Sequence, residues 1–345
     1  MIRFRALLIG LGQMGCGYDA DLPFETDRPR SSSKTYTHAR ALACHPGFSL
    51  EAGIDPNSEA RQRFKTLYGV NAYSDLTDWR SRRSGQSDPD LVVMAVSPKL
   101  QPALVQEVLE LIEPQMLLLE KPIACGLRES LTLKSSCSAY PQLQIAVNYI
   151  RRWLPSVESW RVRLQSGELG KLTHGQLTYG KGLLSNGSHF VNLAEAWLGP
   201  LTLGRVIDQG TSCQEFDREA NLELLAINHG HAPLQVRSVG TAGMRAGELD
   251  LWFEGGRLSW LNNGRAIAFW PREQTATEES YASISPDPEL YPTGLDHYQL
   301  EVVDAIHHHL QDSSSHRLLC DFSDGLRTFE AISPACFEAL GRCLY

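Results

Sequence analysis

Residues 4–15, FRALLIGLGQMG, run from an apolar segment straight into glycines at 10, 12 and 15. The apolar part is too short to cross a membrane, and no small-x-small cleavage site follows it, so it reads as a first β-strand and not as a leader. Gly10 suits the tight turn that leaves such a strand. Gly15 removes the side chain that would keep a following helix away from it.

Outward from that stretch, strand and helix patterns alternate. SLEAGID (49–55), DLVVMAV (90–96), MLLLEK (116–121) and LQIAVNY (143–149) read as further strands. Between them, SEARQRFKTLYG, LQPALVQEVLELI and LRESLTLKSSCSAY carry helical spacing; in the second, Leu104, Val105, Val108, Leu109 and Ile112 share a face. Near-continuous apolar strands separated by helices predict a parallel sheet covered on both faces.

In this context the Gly-x-Gly-x-x-Gly spacing points to a dinucleotide site. Gly12 lets the backbone approach a pyrophosphate, flanked by Gln13 and Met14, and a helix N-terminus would then meet the phosphate charge. Asp55 ends the second strand, where a carboxylate can bind both ribose hydroxyls and repel a 2′-phosphate. NAD is therefore expected over NADP. The usual separation from the last glycine is about 20 residues. Here a long loop, 17–36, intervenes, and HARALACHPGFSLEAGID restores the spacing. Ser97 and Pro98, in AVSP, end the next strand on the ligand-binding edge.

The remainder sets bounds. The length of 345 residues predicts two domains, divided here at 148/149. A formal charge of −8 argues against a nucleic-acid partner, and no apolar run reaches a membrane span of about 18 residues. Eight scattered cysteines without Cys-x-x-Cys or zinc-like spacing read as reduced thiols in a cytoplasmic protein, and no metal site is expected. The adjacent His307, His308 and His309 point different ways around a helix and cannot share one ion. After residue 150 a helix, SVESWRVRLQSG, precedes strand candidates from KLTHGQLTYG to AIAFW, punctuated by glycine turns without crossover helices. That is an antiparallel sheet. Two helical patterns, LDHYQLEVVDAIHHHL and SDGLRTFEAISPACFEAL, close the chain. The segment 273–293 reads as a long loop.

Glu120, Lys121 and Pro122 follow the apolar run LLL at the end of a strand. A lysine held there can bind a substrate hydroxyl and pass a proton. Together GLGQMG, HARAL, IDPN, AVSP, EKPIA, VNYIRRW, GELGKL and NGSHFVNLAEAWLG span most of residues 1–200. With these pieces the chain resembles the glucose–fructose oxidoreductase / inositol dehydrogenase / MocA (Gfo/Idh/MocA) family. The resemblance implies an α/β fold: an N-terminal Rossmann domain, doubly wound, and a C-terminal α+β domain on an open, mainly antiparallel sheet. It implies NAD(P)-dependent hydride transfer at a secondary alcohol or ketone of a sugar, cyclitol or sugar derivative. Lys121 matches the family's active-site lysine, with Glu120 and Lys121 also bordering the cofactor. His189 matches its catalytic histidine in the pattern Asp-x-Gly-x-His-x-x-Asp. In this chain Ser185 and Asn192 stand at the two aspartate positions. Neither can act as a base at neutral pH, so His189 becomes the principal base, with Lys121 orienting the hydroxyl, or the two exchange roles.

Tyr149, Arg152, Lys181, Asn186 and Asn192 are candidates to line the substrate. Arginines in such a place also serve as ordinary surface or ion-pair residues. The loop 17–36 is either a lid that sets specificity or a surface insertion. The open sheet, with strands such as AIAFW apolar on both faces, predicts a homo-oligomer, a dimer or tetramer. Two other functions fit the same residues: a redox-assisted lyase or glycoside hydrolase that uses NAD transiently, and a non-catalytic NAD-binding sensor or scaffold.

Overall fold

The computed structural model describes residues 3–23, 34–83, 85–240, 244, 246–273 and 282–337. By contacts the chain forms two compact units. One is Met1–Trp153 with Asp296–Ser323, the other Leu154–Leu295 with Asp324–Tyr345. The division is not a single cut, because the chain leaves the first unit and comes back to it.

The first unit is built on β1 (Phe4–Ile9), β2 (Phe48–Ile54), β3 (Ala72–Tyr73), β4 (Leu91–Met94), β5 (Met116–Leu119) and β6 (Gln144–Val147). All neighbours are parallel, in the order β3-β2-β1-β4-β5-β6. This is the doubly wound order. The strand order reverses between β1 and β4, and the crevice outside their carboxyl ends is where such sheets bind ligands. Every residue of β4 and β5 is buried, as a sheet covered on both faces requires.

The helices begin where side chains can cap them: α1 (His38–Cys44) on Thr37, α2 (Ser58–Tyr68) on Asn57 and α3 (Leu76–Ser81) on Asp75. Next come α4 (Gln101–Leu111) and α5 (Leu127–Ser138). The helix expected directly after the glycine turn is a single wide turn, Gln13–Gly17. The chain then departs into the insertion and resumes helical geometry only at α1. Asp19, α1 and its cap close the base of that insertion. The Asp19 carboxylate accepts from Tyr36 N (2.8 Å), Thr37 N (2.9 Å) and the Thr37 hydroxyl (2.7 Å), and it pairs with Arg40 at 3.4 Å. Residues 24–33 of the predicted loop lie outside the described residues.

The second unit opens with α6 (Pro155–Gln165), β7 (Leu172–Tyr179) and α7 (Ser188–Leu198), followed by β8 (Leu201–Asp208), β9 (Ser212–Gln214) and β10 (Asp217–Arg218). Next are β11 (Asn221–Ala226), β12 (Ala232–Ser238), β13 (Gly247–Phe253), β14 (Gly256–Leu261), β15 (Ala266–Pro271) and β16 (Glu289–Pro292). Eight of these strands form one sheet, β16-β15-β14-β13-β7-β12-β11-β8, while β9 and β10 pair separately as a ribbon. The sheet is mainly antiparallel as expected, but β7 and β12 run parallel. The stretch 273–293 is not all loop, since β16 pairs with β15 and ends the sheet. Residues 274–281 of it lie outside the described residues.

Every residue of α7 is buried. Its Trp197 donates to the Val157 carbonyl of α6 (3.1 Å) and meets Trp260 of β14 edge-on. The other face of the sheet carries a cross-strand row, His174, Trp252, Arg257 and Trp270, each opposite the next. His174 stacks on Trp252, and the Arg257 guanidinium lies over both Trp252 and Trp270. After β16 the chain re-enters the first unit as α8 (Tyr298–Gln311), which packs on α1. A last helix, α9 (Phe322–Phe337), follows.

Candidate active site

The glycine turn has the geometry its spacing predicts. Gly10 has φ +93°, and a Cβ there would sit 2.3 Å from the Ala95 carbonyl oxygen. A Cβ on Gly15 would sit 2.0 Å from the Gly10 carbonyl oxygen. These two glycines are therefore demanded by the protein's own packing. Gly12 is different: a Cβ there would meet no protein atom within 4 Å. Its lack of a side chain keeps open an exposed place where a pyrophosphate can reach the backbone. Asp55 is tied to this turn, for its carboxylate accepts from Leu11 N (2.7 Å) and Asn57 N (2.8 Å). A carboxylate at the end of the second strand, beside such a glycine turn, is the arrangement through which dinucleotide-binding folds hold a ribose and a pyrophosphate. Ser97 and Pro98 lie in the turn between β4 and α4, and the Ser97 carbonyl accepts from Gln101 N (3.1 Å).

Glu120 and Lys121 follow β5, and the Lys121–Pro122 peptide is cis. Gln101 holds this loop from both sides. Its amide nitrogen donates to the carbonyls of Glu120 (3.1 Å) and Ile123 (3.0 Å), and its oxygen accepts from Glu120 N (3.1 Å). The Glu120 carboxylate turns inward, where His38 Nε2 donates to it at 2.8 Å and Asn148 Nδ2 at 2.7 Å. Gln299 of α8 completes the cluster, at 3.0 Å from His38 Nδ1 and 3.1 Å from Asn148 Nδ2. Burial alone would raise the Glu120 carboxyl. The hydrogen bond and charge of His38, helped by Asn148 and the Lys121 charge, hold it below the usual carboxylate range. Sequence reasoning missed Gln101, His38, Asn148 and Gln299 as parts of this site. Only HARAL and VNYIRRW, as family pieces, carried a hint of the second and third.

In the second unit, His189 is the second residue of α7 and is buried. The wide turn leading to it, Leu183–Gly187, is held by carboxylates from another part of the chain. Asp217 Oδ1 accepts from Leu184 N and Oδ2 from Ser185 N, both at 2.8 Å. Glu219 Oε1 accepts from Gly182 N at 2.9 Å. Asn186 spends its amide on the Gly180 (2.7 Å) and Ala246 (3.1 Å) carbonyls. Asn192, fully buried, donates to the Thr328 hydroxyl (3.0 Å), which in turn donates to the Glu195 carboxylate. Lys181 is exposed at φ +68°. In the first unit Tyr149 and Arg152 are buried, and Arg152 Nε donates to the Leu319 carbonyl (2.5 Å).

Residues 4–149 match the family model described as oxidoreductase family, NAD-binding Rossmann fold. No curated protein matches the sequence. Solved structures match over nearly the whole chain. An inositol dehydrogenase homolog from Azotobacter vinelandii, complexed with NADH and myo-inositol, aligns with TM-score 0.73 at 17% identity, covering 99% of this chain and 96% of its own. The WlbA dehydrogenase from Bordetella pertussis, in complex with NADH and UDP-GlcNAcA, gives 0.73 at 15% identity, covering 98% and 95%. KijD10, a 3-ketoreductase from Actinomadura kijaniata in complex with NADP, gives 0.69 at 14% identity, covering 96% of each chain. The fold is thus shared across both units. Residues 4–149 thus match the NAD-binding Rossmann domain of the Gfo/Idh/MocA oxidoreductase family.

Proposed function

We propose that this protein is an NAD-dependent oxidoreductase that moves hydride between the nicotinamide and a secondary alcohol or ketone of a sugar, cyclitol or sugar derivative. The observation that carries this reading is Lys121, placed directly after β5 of the NAD-binding sheet on a loop that Gln101 and Glu120 hold rigid. Bound NAD supplies the hydride acceptor. The chain's own groups handle the oxygen and its proton. The Lys121 ammonium donates a hydrogen bond to the substrate oxygen and favours the developing carbonyl, and the His189 imidazole takes the hydroxyl proton. In the reverse direction His189 returns that proton to the alkoxide oxygen.

Gly10, Gly12, Gln13, Met14, Gly15, Asp55, Ser97, Pro98, Glu120 and Lys121 form the cofactor side, and residues 1–148 are the cofactor domain. Residues 149–345 carry substrate binding and oligomerisation. Tyr149, Arg152, Lys181, Asn186 and Asn192 shape the substrate side, with Asn186 and Asn192 held in place by the hydrogen bonds their amides donate. The row His174, Trp252, Arg257 and Trp270 on the sheet's other face supports a homo-oligomer through that face. Seven free cysteines among the described residues support a cytoplasmic setting.

The test is an NADH-absorbance screen of sugars, cyclitols and nucleotide sugars, followed by single-turnover NAD reduction in Lys121→Met and His189→Ala. The expected result is net NADH with the intact protein and losses of about a hundredfold or more in each variant. Full rates in His189→Ala would remove the base assignment. NADH that forms and disappears within one turnover would shift the reaction to the internal-redox lyase class.

A further inference from the structure

We propose that Asp217, on the β9–β10 ribbon, is the carboxylate that positions His189, standing in for the aspartate absent at position 185. This inference rests on the hydride-transfer reading above. Asp217 is nearly inaccessible, at 1% exposure, and its carboxylate is turned onto the turn that precedes His189. Oδ2 accepts the Ser185 N–H and Oδ1 the Leu184 N–H, and the Ser185 side chain also hydrogen-bonds to the carboxylate. The residue that replaced the family's aspartate is thus itself bound to an aspartate from elsewhere.

The chain makes room for this arrangement. Gly182 has φ +89°, and a Cβ there would lie 2.1 Å from Asp217 Oδ2. The link to the helix is continuous: the Ser188 hydroxyl donates to the Leu184 carbonyl (2.6 Å), closing the same residue whose N–H Asp217 holds. Ser185 and His189 are four residues apart, one helical turn, so a charge at Ser185 acts on the side of the turn that His189 shares. Tyr179, Cys213, Arg218, Glu219 and Cys336 are the other titratable groups around Asp217. Of these only Arg218 is a cation, and it is its backbone N–H that bonds Asp217 (2.9 Å). Burial raises the Asp217 carboxyl against the pull of its hydrogen bonds. The site therefore keeps a costly buried acid where a simple turn would need none.

The experiment moves the carboxylate. Asp217→Asn, Ser185→Ala and the double variant Asp217→Asn/Ser185→Asp are compared with the intact protein by NMR titration of the His189 ring and by NAD reduction with a polyol from the screen. Loss of the charge in Asp217→Asn should lower the His189 pKa by about half a unit or more. It should also cut kcat about tenfold at unchanged KM. The double variant, with the acid returned to position 185, should recover most of both effects. An unchanged His189 titration in folded Asp217→Asn, or a double variant no nearer the intact protein, overturns the proposal. If Asp217→Asn does not fold, Ser185→Ala carries the test, since loss of its hydroxyl should move the same titration in the same direction. If no polyol is oxidised by the intact protein, the hydride-transfer reading falls while the titration still decides the role of Asp217.

Discussion

His38 Nε2 and Glu120 Oε1 meet at 2.8 Å in the interior of the first unit, 82 positions apart in the chain. The pair joins the first residue of α1 to the acid that precedes Lys121. It is satisfied further by Asn148 and Gln299, so no buried charge is left uncompensated. Removing one partner strands the other, which costs about 3–5 kcal/mol. Glu120→Gln and His38→Ala should each lower chemical stability by about that amount. The pH dependence has a definite sign. The folded Glu120 carboxyl lies below its ordinary value of 4.5, so its stabilisation is present above that pH and disappears as pH falls through the folded value. Unfolding measured from pH 7 to pH 3 should show a steep acid loss in the intact protein and a shallower one in Glu120→Gln.

The glycine turn separates folding from binding. Gly10→Ala places a side chain 2.3 Å from a backbone oxygen at positive φ. It should lower stability by about 2 kcal/mol or more. Gly12→Ala meets open space. It should melt like the intact protein and yet bind NAD about tenfold more weakly. Calorimetric NAD titration beside thermal unfolding checks both. A melting loss in Gly12→Ala would show that its space belongs to the protein's own packing.

Asp55 bonds Leu11 N and Asn57 N through separate oxygens. Asn at this position retains one acceptor, so the fold should survive. The negative charge proposed to bind ribose hydroxyls and repel a 2′-phosphate is lost. Asp55→Asn should weaken NAD about tenfold while NADP changes little, narrowing the preference measured by competitive binding.

Asn192→Asp would restore the family's second aspartate, but here it would face Glu195 across Thr328 with no solvent access. Two buried acids sharing one hydroxyl should cost about 3 kcal/mol at neutral pH. A buried acid titrates above its unfolded value, so the folded variant binds more protons and its stability falls as pH rises. Thermal unfolding should show a larger deficit at pH 8 than at pH 5.5, and equal deficits would mean the new carboxylate finds another partner.

Much of the fold was legible because its physics is local. Apolar runs such as LLI and LVVM cannot be exposed, and the spacing of Val105, Val108 and Leu109 on α4 is a helix's own period. The second sheet's strands were found for the same reason, by alternation between glycine turns. Short elements escaped: β3 has two residues, and β16 has exposed or half-buried positions that show no periodicity. The parallel pairing of β7 with β12 also escaped, since partner choice between distant strands is not written in either strand's pattern.

By itself, the sequence determined the nucleotide-binding half and singled out Lys121 and His189 as the residues proposed for proton chemistry. Side-chain type and short-range spacing suffice for that. The tertiary structure decided what surrounds them. His38 and Asn148 reach Glu120 from distant parts of the chain, Gln299 of α8 holds both of them, and Asp217 reaches Ser185 from a ribbon 32 residues on. A buried carboxylate needs donors close in space, and folding brings them there from positions that no local pattern connects.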